Sequence, residues 1–166
     1  MKKLLLMRHA KSSWDDDALA DFERPLNDRG QLAAPFMGDL LRREGLVPDA
    51  LVASPAVRAA QTAEAVTSAG RFDREVVFEE SVYEASPNAL RQALAAIDDA
   101  ASTAMLIGHN PGIEGLIRYL TGETEPMPTA AVAVIELDIE SWNAATDGCG
   151  RVEAVYRPKD LMVAAS

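Results

Sequence analysis

The chain contains two histidines, His9 and His109, and each lies two positions beyond a short apolar run, Leu4-Leu5-Leu6-Met7 and Met105-Leu106-Ile107. Runs of this kind read as strands buried on both faces. Ligands of open α/β sheets bind beyond the carboxyl ends of the strands, so both histidines are expected at one sheet edge. The same edge should receive Arg8 after the first strand and Ser54-Pro55 after Ala50-Leu51-Val52-Ala53. Arg58 falls in the opening turn of the next helix, and Glu84 in the loop after Val76-Val77-Phe78. A lone histidine after a strand is ordinarily a surface or hydrogen-bonding residue. Two histidines and two arginines converging on one edge have a common chemistry. Guanidinium groups clamp a dianionic phosphoryl group with fixed forks of donors. A neutral imidazole between them can attack phosphorus and carry the phosphoryl group covalently. Flanking cations lower the imidazole pKa and keep it unprotonated near neutral pH. His109 can donate to oxygens whose charge changes during transfer, and the first amides of the helix after Pro111 offer an anion-binding edge.

Such a pocket has to be local, because the chain as a whole is acidic. Its 26 Asp and Glu against 16 Lys and Arg give a net charge of −10, which disfavours non-specific binding to nucleic acid or anionic membrane. The 166 residues, 48% hydrophobic and 25% charged, suit a single globular domain spanning 1–166. Cys149 is the only cysteine, which excludes an intramolecular disulfide and a cysteine-based metal site. The apolar run after Met1-Lys2-Lys3 stops at Met7, too short for a signal peptide or membrane span. A cytoplasmic location is expected.

Short apolar runs alternate with helix-period segments, the pattern of an α/β domain. Leu32, Phe36 and Leu40, with Ala33, Met37 and Leu41 beside them, recur at helical spacing until Gly45. Pro35 within that helix predicts a kink or a start later than Asn27. An Ala-rich helix is predicted from about Ala56 to Ser68, another opens at Ser86-Pro87, and Ile113, Leu116, Ile117 and Leu120 mark a further one. Alternation over Ala133–Ile139 and Val152–Tyr156 predicts a hairpin around the Trp142–Gly150 loop. The sum is a mostly parallel mixed sheet with helices on both faces.

Arg8-His9-Ala10, Ser54-Pro55 with Arg58, Gln61-Thr62-Ala63 and Gly108-His109-Asn110-Pro111-Gly112 together resemble the histidine phosphatase, or phosphoglycerate-mutase-like, superfamily. The phrases Arg8-His9-Ala10-Lys11-Ser12-Ser13-Trp14 and Glu23-Arg24-Pro25-Leu26 look like its SixA-type phosphohistidine phosphatase branch. The resemblance implies a three-layer α/β/α sandwich with a mostly parallel mixed sheet and no metal or organic cofactor. It makes His9 the phosphorylated nucleophile and Arg8, Arg58 and His109 the phosphate pocket. Lys11, two residues past His9, reads as a contact to the incoming phosphate or to a partner's acidic surface, or as a plain exposed lysine, and Asn110 as a further substrate contact. The superfamily's first motif commonly has Gly where Ala10 stands here; the added methyl restricts the approach of backbone to imidazole, a restriction the SixA-type branch is expected to tolerate. The superfamily's general acid maps to about Glu84, with Glu80 and Asp16 as alternatives. The implied substrate is a phosphohistidine on another protein or, as the alternative, a small phosphate ester, with inorganic phosphate as product. A non-catalytic phosphate-binding module is the reading from a different class. Asp15-Asp16-Asp17 reads as a solvated loop, Arg24 as a buttress of the pocket or a structural ion pair, and Trp14 as part of its rim.

Overall fold

Period-two alternation divides the interior into two layers. In β1 (Lys2–Arg8), Leu4 and Leu6 face one side and Leu5 and Met7 the other, and all four are fully buried. β4 (Thr103–Gly108) repeats the pattern, with Ala104 and Leu106 on the first side and Met105 and Ile107 on the second. The remaining strands are β2 (Ala50–Ala53), β3 (Val76–Phe78), β5 (Val132–Leu137) and β6 (Gly150–Tyr156). The computed structural model describes residues 1–165, and within them the strands form one sheet in the order β3-β2-β4-β1-β5-β6. β3, β2, β4 and β1 run parallel, and β5 and β6 add an antiparallel margin.

One face is covered by α1 (Asp28–Arg43), α2 (Val57–Gly70) and α5 (Pro158–Ala165), through residues such as Met37, Leu41, Val66 and Leu161. The other is covered by α3 (Pro87–Ala95) and α4 (Gly112–Thr121), through Leu90, Leu94, Leu116 and Leu120. The expected three-layer sandwich is therefore present. Trp142, fully buried in a short 3-10 turn on that face, donates its indole N–H to the Ala101 carbonyl at 2.9 Å.

Pro35 does not delay the start of the first helix. It begins immediately after Asn27, whose side chain accepts from the Gly30 amide at 2.9 Å, and it runs through Pro35. The N-cap bond and the fully buried Ala34, Met37 and Leu41 outweigh the one hydrogen bond a proline forfeits. Leu32, by contrast, stands 66% exposed. The closing helix α5 carried no signal in the sequence reading.

Candidate active site

The sheet carries both histidines to one place by register. Arg8 lies opposite Gly108, so the next residue of each strand exits together, and the His9 amide donates to the Gly108 carbonyl at 3.0 Å. On the other side of β1, the Ala130 amide donates to the carbonyls of Arg8 and His9 at 3.1 and 3.0 Å. Beyond His9 the chain is tied to α2, because the buried Thr62 hydroxyl accepts from the Ala10 amide at 3.0 Å and donates to the Arg58 carbonyl at 2.7 Å. It is then tied to α1. The Asn27 amide donates to the Lys11 carbonyl at 2.9 Å, and a Cβ on Gly30 would lie 2.2 Å from that same oxygen. The glycine at the start of α1 is what allows this approach.

Within this frame, Nδ1 of His9 lies 2.7 Å from the Ala10 carbonyl. A carbonyl only accepts, so the ring hydrogen sits on Nδ1 and Nε2 keeps its lone pair. Nε of Arg58 is 3.4 Å from that nitrogen. His109 packs beside it with ring centroids 5.1 Å apart, its Nε2 2.7 Å from the Ser54 hydroxyl and its Nδ1 3.4 Å from the Arg58 guanidinium. Arg58 only donates, so His109 accepts at Nδ1 and its Nε2–H donates to the Ser54 hydroxyl; the opposite tautomer, with Ser54 donating to Nε2, would free an Nδ1–H for a phosphoryl oxygen. Burial, followed by Arg58 and Arg8 and opposed by the Ala10 hydrogen bond, lowers the His9 pKa to about 4. Burial, then His9 and Arg58, lowers that of His109 to about 3. Both rings are neutral near pH 7.

A residue absent from the sequence reading organises the arginines. One carboxylate oxygen of Asp21 accepts from Arg24 at 3.0 Å, and the other accepts from Arg58 at 3.0 Å and from the Tyr83 hydroxyl at 2.6 Å. Its backbone carbonyl takes a second bond from Arg58 at 2.7 Å. The Tyr83 hydroxyl first, then Arg58 and Arg24, hold the Asp21 carboxyl far below the usual carboxylate range. Arg24 is itself buried, donates to Ser12 and Ser13, and lies 3.2 Å from the ring centre of Trp14. It is thus both buttress and ion-pair partner. Trp14, 77% exposed, forms part of the rim.

These groups line a cleft of about 350 Å³ that also takes in Arg8, Lys11, Glu84 and Asn110. Arg8 donates to the Met127 carbonyl at 3.1 Å, and its buried Nε has no partner among the described residues. Lys11 and Glu84 are exposed at the rim, and Glu84 holds a left-handed backbone with φ of 48°. Such a conformation is uncommon outside glycine and is found at functional sites. Glu80 and Asp16, the alternative acids, do not line the cleft.

Three positions of the motifs have their surroundings defined by packing. The Asn110 side-chain amide donates to Glu114 and to the Met127 carbonyl, and its oxygen accepts from the Glu114 amide. Its side chain braces the 127 segment, and the residue still lines the cleft. The start of α4 likewise offers little to an anion, since the Ile113 and Glu114 amides are taken by the His109 carbonyl and the Asn110 side chain. Finally, the Ala10 methyl packs fully buried in the core while its carbonyl still reaches His9. Glycine is not required there.

The sequence profile of the histidine phosphatase superfamily (branch 1) matches residues 4–93, more than half of the chain. The chain belongs to this superfamily. An uncharacterized protein of Mycobacterium leprae is 31% identical to this histidine phosphatase over 144 residues, covering 79% of the chain and 87% of its own length. Among solved structures, SixA of Agrobacterium tumefaciens, described as a candidate phosphohistidine phosphatase, superposes with a TM-score of 0.82 at 27% identity, over 95% of this chain and 98% of that one. SixA of Nakamurella multipartita, described in the same terms, gives 0.80 at 25% identity, over 95% and 96%. The phosphoglycerate-mutase-like fold and the SixA-type resemblance of the sequence are both met. No helix among the described residues is long and apolar enough to cross a membrane.

Proposed function

We propose that this phosphatase hydrolyses phosphohistidine on other proteins, with His9 as nucleophile. The observation that carries the reading is the tautomer of His9. Its Nδ1 hydrogen is held by the Ala10 carbonyl, so Nε2 is an unprotonated nitrogen beside the Arg58 guanidinium. Arg8, Arg58 and His109 would hold the phosphoryl oxygens. Nε2 of His9 forms the new N–P bond as the bond from phosphorus to the substrate imidazole breaks, and the departing imidazole nitrogen takes a proton. Water then attacks phosphorus, the His9 N–P bond breaks, and inorganic phosphate leaves with neutral His9 restored.

Two observations favour a protein substrate. The rim groups Lys11, Trp14 and Glu84 are exposed to solvent, which leaves room for a side chain of a second protein. The similar structures from Agrobacterium and Nakamurella carry phosphohistidine phosphatase descriptions. A small phosphate ester is the second reading, favoured by Glu84 at the cleft, since an alkoxide leaving group needs a proton donor more than an imidazole does. A pure phosphate-binding module would not require His9 to be neutral. The test compares turnover of a phosphohistidine-bearing protein and of simple phosphate esters by wild type and His9→Ala. Phosphohistidine cleavage that is abolished in His9→Ala supports the proposal. Unchanged turnover in that variant overturns the mechanism, and ester cleavage far above phosphohistidine cleavage moves the substrate to the second reading.

A further inference from the structure

Beside the cleft, and sharing Lys11 and Thr129 with it, lies a second groove of about 320 Å³ between the start of α1 and the start of α5. Arg29, Leu32, Pro128, Pro158 and Lys159 contribute to its walls. We propose that this groove binds the segment flanking the phosphorylated side chain of a protein substrate, and that it selects a segment carrying acidic residues next to an apolar one. The inference rests on the phosphatase reading and extends it from the phosphoryl group to the chain that bears it.

Charge is the first argument. Lys11, Arg29 and Lys159 are all exposed, and none forms an ion pair or side-chain hydrogen bond among the described residues. On a chain of net charge −10, three unneutralised cations around one groove form a local positive field in a negative surround. Such a field steers an acidic segment toward the groove and keeps it from docking elsewhere on the surface. Three cations are too few to hold a polyanion such as nucleic acid against that overall charge.

Apolar surface is the second argument. Leu32 is 66% exposed on the helix whose Ala34, Met37 and Leu41 are fully buried. Among the described residues it belongs to neither layer of the core. In this groove it lies among Ala33, Pro128 and Pro158, a floor suited to one apolar side chain flanked by charge-paired carboxylates. Continuity is the third. Lys11 follows His9 by two residues and borders both cavities, so a chain that presents its phosphorylated side chain to the cleft has its neighbouring residues beside this groove.

The test uses the whole chain and two synthetic peptides with one central phosphohistidine. One has glutamate and leucine flanks and the other has serine and glycine flanks. Phosphoramidate serves as the small substrate. Wild type should cleave the acidic peptide with a kcat/KM about tenfold above the neutral one, a preference that shrinks with added salt. The double variant Arg29→Glu/Lys159→Glu, which leaves the cleft untouched, should lose that preference and keep its phosphoramidate turnover. Equal rates on the two peptides, or a preference unaltered in the double variant, would overturn the groove assignment while leaving the phosphatase reading intact. Wild type that turns over none of the three substrates overturns the phosphatase reading and this inference with it.

Discussion

The Asp21 carboxylate and the Arg58 guanidinium meet at 3.0 Å, and the Asp21 carbonyl adds a second bond to the same guanidinium at 2.7 Å. Arg58 is thereby aimed past Asp21 at His9 and His109 before any phosphoryl group arrives. A guanidinium fixed in advance loses less freedom when it binds. Asp21→Asn keeps the shape and the carbonyl contact but removes the charge shared by Arg24 and Arg58. Its kcat/KM should fall roughly 10- to 100-fold with the fold retained, checked by steady-state kinetics beside circular dichroism. Unaltered kinetics would reduce Asp21 to a surface ion pair.

Neutral histidines set the pH behaviour. Since His9 takes its proton only near pH 4, the acid limb of kcat/KM should lie close to that value, well below the ordinary histidine pKa of about 6.5. An acid limb at the ordinary value would mean that His9 is not held neutral in the free enzyme.

Stability carries the same signature with a definite sign. Both pKa values are lower in the folded chain, so the unfolded chain binds protons first as pH falls below about 6.5. The contribution of each neutral ring is complete above that point and is lost toward pH 4 for His9 and pH 3 for His109, at up to about 1.4 kcal/mol per pH unit for each group. Asp21, with its pKa held down, loses its own contribution below the ordinary carboxylate range and so outside most of this window. Denaturant unfolding between pH 7 and 4 should therefore fall less steeply for His9→Asn than for wild type. Parallel curves would count against the buried neutral imidazole.

Thr62 joins the strand exit to α2. Thr62→Val preserves shape but leaves the buried Ala10 amide without its acceptor, a loss of about 1–3 kcal/mol. Unfolding midpoints should show that cost, and turnover should drop with it, because Ala10 also carries the carbonyl that orients His9. A variant as stable as wild type would show that the Ala10 amide finds another acceptor.

Glu84 separates the two substrate classes. Glu84→Gln should slow ester hydrolysis by about 10²-fold or more and leave phosphohistidine cleavage nearly unchanged. Equal losses on both would make Glu84 a binding or backbone-positioning residue.

Much of this arrangement was legible in the sequence because it depends on local signals. The apolar runs of β1, β2, β3 and β4 placed His9, Arg58, Glu84 and His109 at one edge, and the structure puts all four around one cleft. Ser86-Pro87 behaves as the helix-start signal it resembles. Asp21 was not legible. It opens a short 3-10 turn without hydrophobic periodicity, and two of its three side-chain partners, Arg58 and Tyr83, are 37 and 62 residues away. The later start of α1 inferred from Pro35 fails for the opposite reason, since a local rule was overridden by the N-cap and the buried face of that helix. The commitment of Asn110 to Glu114 and Met127 depends on a segment that the motif does not contain.

The central claim is that the phosphoryl group passes through His9. Rapid acid-free quenching of wild type during turnover, followed by peptide mapping, tests it most directly. The account predicts one phosphoryl group on the peptide containing His9, stable to base and lost in acid, and absent from His9→Ala. A phosphoryl group on another residue, or full turnover by His9→Ala with no phosphorylated enzyme at any time, would contradict it.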